Sequence, residues 1–390
     1  MKLDLLIKGG RVIDPAQGLD AHVDVGITRG RIEAIGKDLG TSADALGVRV
    51  IDATYGLVVP GLIDIHSHVY TGVCPLTVPA DEMASRAGVT TMVSAGDAGA
   101  NTIEGFRRLI VDESRTRVLA FLHIATTGLA TFPVGESVEP GMLDVDAAEA
   151  AVRRFPDIIV GVKVRQGGPS ITGANGLEPL RRALTVARAS QLPVMVHISD
   201  SDAPIAELLA LLGKGDIVTH CFTGSEHGLR EDGRFADSAR AARTRGVLFD
   251  VGHGAGSFDF DVAEAAARRE FWPDTISTDL HSISAPIVRS LPDVMSRMLT
   301  VGMPLVDVVA ATTDRAARAI GRSETLGSLQ VGRVADIAIL DMNDGPHEYA
   351  DTTGHTRSAS VWLSARHTIR AGIVWGLPTH PGTGVSVLAG

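Results

Sequence analysis

Two histidines two residues apart, His66 and His68, close an apolar run, Leu62 to Ile65, that reads as a strand. Residues i and i+2 of a strand face the same way, so both imidazoles can reach one cation. Other groups of ligand type sit at the ends of similar runs: His197, His220 and Asp279, with Lys163 inside the run Ile158 to Val164. A lone histidine on an apolar strand is usually a satisfied core residue. Four of them, two at same-face spacing, point instead to a metal. A bound divalent metal lowers the pKa of its water toward neutrality. Asp279 could ligate that metal, accept the water's proton and pass it to a leaving group. The alternative for Asp279 is a helix cap, because Ser277 and Ser282 crowd the same turn. Lys163 is costly in a buried run unless it is paired, neutralised or able to snorkel out.

These groups can meet only if their elements share one end. Eight apolar runs recur through the middle of the chain: Leu62 to Ile65, Thr90 to Ser94, Val118 to Ile124, Ile158 to Val164, Pro193 to Ile198, Ile217 to His220, Val247 to Val251, and Thr275 to Thr278. Amphipathic stretches separate them, including Thr102 to Arg115, Glu178 to Ser190, Pro204 to Leu212 and Val262 to Arg269. Strands buried on both faces and alternating with helices imply a parallel sheet. Eight units imply an α/β fold of the (β/α)8 TIM type, whose active sites lie where the C-terminal strand ends converge. The rival, an open doubly wound sheet, carries a Gly-rich phosphate turn after strand one, where this chain has His66-Ser67-His68. Pro286 to Val301 and Pro304 to Ile320 read as closing helices. Both ends are β-rich: Leu3 to Lys8, Val23 to Thr28, Arg31 to Ile35 around a tight Arg29-Gly30 turn, then Ala335 to Leu340 and Thr368 to Trp375. The expected organisation is a small composite β-sandwich from 1–57 and 325–390, with the barrel over 58–324.

The bulk numbers agree. Among 390 residues, 45% are hydrophobic and 21% charged, enough for a large core and against global disorder. A net charge of −10 without a long basic run argues against nucleic acid as a partner. With two cysteines, Cys74 and Cys221, a disulfide framework is not expected and a reducing cytoplasm fits. No signal peptide is expected from Met1-Lys2-Leu3-Asp4, and no uninterrupted apolar segment reaches a membrane span. The expected partners are a small-molecule substrate and further copies of the chain as a homo-oligomer.

The segment Val59-Pro60-Gly61-Leu62-Ile63-Asp64-Ile65-His66-Ser67-His68 resembles the strand-one signature of the amidohydrolase superfamily. The terminal module, closing with Gly332-Arg333-Val334-Ala335-Asp336, is similar to that family's accessory sandwich. The resemblance spans nearly the whole chain. It implies two divalent metals, zinc in the usual case: one held by His66, His68 and Asp279, the other by His197 and His220. It further implies that carbon dioxide carboxylates Lys163 to an anionic bridge, that a hydroxide between the metals is the nucleophile, and that Asp279 is the general acid/base. Dihydroorotases carry an arginine two residues after the second histidine, where this chain has Tyr70. The hydantoinase lysine segment does not read Gly161-Val162-Lys163-Val164-Arg165. Closer is a deacetylase branch often named as dihydroorotases or adenine deaminases, which removes acetyl or small acyl groups from hydroxy-acid or amino-acid derivatives such as acetylated mandelate. Five stretches resemble it: Gly88-Val89-Thr90-Thr91 with Ala95-Gly96, Val162-Lys163-Val164-Arg165, Val218-Thr219-His220-Cys221-Phe222, Asp250-Val251-Gly252-His253-Gly254, and Ser277-Thr278-Asp279-Leu280-His281.

Four further residues are candidate substrate contacts. Arg165 could grip a substrate carboxylate through a bidentate fork or form a structural ion pair. His281 could touch substrate, orient Asp279, or be a loop residue. His253, between glycines, could approach the mouth after strand seven or merely turn the chain. Tyr70 occupies the position of the dihydroorotase arginine. Asp97 reads as a helix cap, and Cys221 as a small packed hydrophobe. The competing activities are a cyclic-amide hydrolase, dihydroorotase-like or hydantoinase-like, and a mononuclear deaminase, which normally has no lysine ligand. A non-catalytic scaffold of the same fold would have lost ligands, whereas all six are present.

Overall fold

Valine- and isoleucine-rich runs buried on both faces build the staves of a barrel. A computed structural model describes residues 2–41, 47–198, 201, 203–226, 228–231, 234–375 and 385–387. Seven parallel strands lie side by side in the order Leu62–Ser67, Val89–Gly99, Arg117–His123, Ile159–Arg165, Val194–His197, Ile217–Thr219 and Leu248–Phe249. The eighth run, 275–278, is a stave of a different kind. It makes isolated parallel bridges, Thr275 to Asp250 on one side and Leu280 to Ser67 on the other. Backbone hydrogen bonds from Val251 N to Thr275 O (3.1 Å) and from Asp279 N to His66 O (2.8 Å) close the ring. Side chains complete what the short ladder lacks. Thr278 donates to Asp64 from its hydroxyl (2.5 Å) and its backbone N–H (3.1 Å). The chain is therefore a (β/α)8 barrel with a β-rich terminal module.

The helix Glu178–Ser190 begins and ends where its apolar spacing predicts. The stretch expected as one helix over 102–115 is an α-helical turn, Ile103–Phe106, continued by a π-helical segment, Arg107–Val111. Each closing helix is split. The first comprises Ala285–Val288 and Leu291–Val301, broken at Arg289 in the left-handed region (φ 58°), after which Ser290 caps the next turn. The second comprises Leu305–Thr312 and Asp314–Ala319.

The terminal module holds two sheets. One orders Val385–Val387, Arg49–Asp52, Leu5–Lys8, Asp24–Thr28 and Arg31–Gly36. The other orders Ile373–Trp375, Thr356–Arg370, Ile337–Ala350, Gly56–Pro60, Arg11–Asp14 and Leu19–His22. Ile7, Val25 and Val58 from the first part of the chain share a core with Ile337, Ile339 and Ile369 from the last. The Arg29-Gly30 turn has both residues at positive φ (51° and 73°), the geometry a two-residue hairpin needs. The strand expected to stop at Leu340 runs on to Ala350 and returns as Thr356–Arg370. In the turn between these strands, Thr352 Oγ1 donates to Phe258 O (2.7 Å) and Asp351 accepts from Phe260 N (3.0 Å). These bonds brace the loop after strand seven, which forms one wall of the barrel mouth. Among the described residues no helix is long and apolar enough to cross a membrane.

Candidate metal centre

The parallel staves carry all six candidate ligands to one end of the barrel. Asp279 Oδ1 lies 3.1 Å from His66 Nε2 and 3.0 Å from His68 Nε2. Lys163 Nζ is 3.4 Å from His66 Nε2. The His220 ring centroid lies 5.1 Å from that of His66 and 4.4 Å from that of His197. His66, His68, Lys163, His220 and Asp279 are buried, and His197 keeps some exposure.

The donor atoms fit metal ions by chemistry as well as by place. Three histidines have Nδ1 engaged from behind: His66 by Thr219 Oγ1 (2.8 Å), His68 by Asp97 Oδ1 (2.5 Å) and His220 by Gly252 O (2.6 Å). Such contacts are what orient a metal-binding imidazole. His220 Nε2 is buried without a hydrogen-bond partner, which is costly unless something else satisfies it. His66, His220 and Asp279 present ligand atoms within 4.8 Å of one another. Both His220 (φ 66°) and Asp279 (φ 50°) hold left-handed backbone conformations, a strain that clusters at functional sites.

Electrostatics follow from burial. Burial pushes His220 down to about 4, and it holds His66 and His197 well below the ordinary histidine range, leaving neutral imidazoles. Burial opposes the charge on His68 too, but Asp97 and Asp279 outweigh it and raise that ring to about 9. Burial would raise Asp279, yet the imidazoles around it, charged His68 among them, keep it well below the usual carboxylate range. Burial drives Lys163 down to about 7. A neutral amine is the form that can add carbon dioxide.

Glycines make room for the ligands. A Cβ on Gly254 would sit 2.4 Å from Asp279 Oδ2, one on Gly252 2.2 Å from Thr219 Oγ1, and one on Gly96 2.7 Å from Lys163 Cγ. All three glycines also have positive φ, so any side chain there is strained as well as crowded.

Above the ligands lies a cavity of about 230 Å³, walled by Leu76, Leu129, Ile171 and the 255–257 loop, with Arg165 and His281 at its side. A roomier cleft of about 500 Å³, among Arg188, Lys214 and Arg318, sits by the N-terminal strand ends and contains none of the six ligands. Arg165 forms the structural ion pair that was one of its two expected roles, its Nη1 lying 3.3 Å from the buried carboxylate of Glu136, and it also lines the cavity. His281 Nδ1 accepts from the N–H groups of Ile283 and Ser284 (3.3 Å each), so its proton resides on Nε2, 3.9 Å from Asp279 Oδ2.

Two candidates lie elsewhere. Tyr70 is turned into the barrel wall, its hydroxyl donating to Thr102 O (3.1 Å) and its ring edge-on to Phe106. The backbone N–H groups of Val69 and Tyr70 are both captured by Asp97 Oδ2, which directs the chain away from the mouth. His253 points behind the mouth, stacked on Phe258 (4.7 Å) with Nδ1 bonded to Gly254 O (2.9 Å), and burial pushes it down to about 3. Asp97 caps no helix; it orients His68. Sequence reasoning also passed over Asp64, Asp250 and Glu136. The available signal was an acid near a strand end, beside Gly96 for Asp97 and two residues before Gly252 for Asp250.

The pattern of the amidohydrolase family matches residues 57–366. A deacetylase of Brucella anthropi is 36% identical over 355 residues, covering 90% of this chain and 87% of that one. A deacetylase of Agrobacterium fabrum is 38% identical over 344 residues, covering 87% and 83%. A crystal structure described as a dihydroorotase superposes with a TM-score of 0.88 at 33% identity, covering 96% of this chain and 99% of its own.

Proposed function

The chain belongs to the amidohydrolase family, and from that premise we propose that it is a binuclear hydrolase that removes a small acyl group, acetyl in the first instance, from a hydroxy acid or amino acid. Hydrolysis of C–N bonds is the family's chemistry, and deacetylase-named relatives are similar to this chain over most of their length. The observation that carries the proposal is the convergence of Asp279, Lys163 and imidazole donors at one cavity floor. His66, His68 and Asp279 would hold one metal, His197 and His220 the other, and carboxylated Lys163 would join them. Zinc suits so imidazole-rich a set. When bound, the two cations would supply an activated water and polarise the acyl carbonyl.

The chain's own residues do the rest. Asp279 accepts the attacking water's proton and returns it to the departing oxygen or nitrogen. His281 Nε2–H faces the second carboxylate oxygen from 3.9 Å and adds a favourable charge–dipole contact there. The cavity's size restricts the substrate to a small molecule, and its three aliphatic walls favour an apolar substituent beside the cleaved bond. Arg165 spends Nη1 on Glu136 and retains Nε and Nη2, an edge able to grip a substrate carboxylate. Tyr70, held in the wall, leaves the second-histidine side without the dihydroorotase arginine. Cyclic-amide hydrolysis remains the second reading because of the dihydroorotase superposition.

The test is a panel of N-acetyl amino acids, O-acetyl hydroxy acids, dihydroorotate and hydantoins. Each acylated acid is paired with its methyl ester at the carboxylate. Arg165→Met should lower kcat/KM for the free acids by roughly 10- to 100-fold, the worth of a charged hydrogen-bond pair. The methyl esters should barely change. Preference for the cyclic amides, or an equal loss on acids and esters, would refute the assignment.

A further inference from the structure

Asp250 and Thr219 lie outside the six candidate ligands, yet both are fully buried beneath them. Three hydroxyls converge on the Asp250 carboxylate: Thr219 on Oδ2 (2.8 Å), Ser277 on Oδ2 (2.6 Å) and Thr275 on Oδ1 (2.8 Å). Three hydroxyl donors suit an ionised, acceptor-only carboxylate, which takes a proton from each of them. Thr219 has a single hydroxyl proton, and Asp250 receives it. Its oxygen, 2.8 Å from His66 Nδ1, can therefore only accept. His66 must then carry its proton on Nδ1 and present a bare lone pair at Nε2, the atom facing Asp279 and Lys163.

We infer that Thr219 and Asp250 form a positioning relay that locks His66 in its metal-binding tautomer and orientation, through a hydroxyl rather than by direct carboxylate contact. His68 is served directly by Asp97, so the two histidines of one strand are held by different devices. The relay also spans staves six, seven and eight. The same carboxylate that orients His66 pins Thr275 and Ser277, just ahead of Asp279. This inference rests on the metal-centre reading above.

The test separates positioning from packing. Thr219→Val deletes the relay hydroxyl, whereas Thr275→Val deletes an Asp250 bond that lies off the path to His66. Chelated protein is titrated with zinc against a chromophoric competitor in bicarbonate buffer, and metal-free thermal unfolding is recorded alongside. Thr219→Val should weaken zinc binding by about 10- to 100-fold. Thr275→Val should leave it nearly unchanged while lowering Tm comparably, and Thr219→Ser should restore affinity. Equal affinity losses in both valine variants, no loss in Thr219→Val, or no rescue by serine would overturn the relay. A wild-type chain that takes up no zinc would overturn the metal-centre reading itself, a separate and recognisable outcome.

Discussion

Asp279→Asn should lower kcat by about 10³-fold or more, the scale of a lost general acid/base, while most of the bound metal is retained. The carboxylate faces His66 and His68 through one oxygen, Oδ1, and leaves Oδ2 toward His281. Asparagine keeps a carbonyl oxygen that can face the imidazoles, but it cannot take a proton from water. Its shape is preserved, and Gly254 leaves room for little else beside Oδ2. The measurement is kcat on the best acyl substrate together with metal content per chain. Turnover close to wild type would remove Asp279 from the proton path.

Lys163→Met should separate function from stability. The lysine is fully buried in an apolar strand, and among the described residues no carboxylate reaches ion-pair distance of its nitrogen. A buried amine of this kind burdens the fold, and methionine fills similar space without it. The metal-free variant is therefore expected to melt at or above the wild-type Tm. If carboxylated Lys163 joins two metals as proposed, its loss should lower turnover by about 10³-fold or more and reduce zinc uptake. Such an exchange of stability for activity is common where an active site carries strained or desolvated groups. A variant that melts well below wild type yet stays active would show that Lys163 is structural.

Much of the site was legible because its information is local. Same-face spacing of His66 and His68, and polar residues ending apolar runs, depend only on strand periodicity and on parallel connection. The helix Glu178–Ser190 was equally plain, since its apolar spacing lies within the segment. The eighth stave was visible as an apolar run but not as a side-chain-braced closure, because its partners Asp64 and Asp250 are distant in sequence. The hairpin Ile337–Ala350 with Thr356–Arg370 was hidden because the residues past Leu340 are mostly polar and include Asp344-Gly345-Pro346, which reads as a turn and in the sheet is an irregularity of register. Tyr70 and His253 were misplaced for one reason: nearness in sequence to a ligand does not say which way a side chain turns. Asp97, from another strand, and Phe258, further along the same loop, decide that.

The central claim is that these side chains hold two metals. Chelated, inactive protein titrated with zinc in bicarbonate, with bound metal and activity followed together, tests it most directly. The account predicts activity returning in proportion to uptake and levelling at about two zinc ions per chain. Full activity in metal-free protein, or saturation without any gain in turnover, would contradict it.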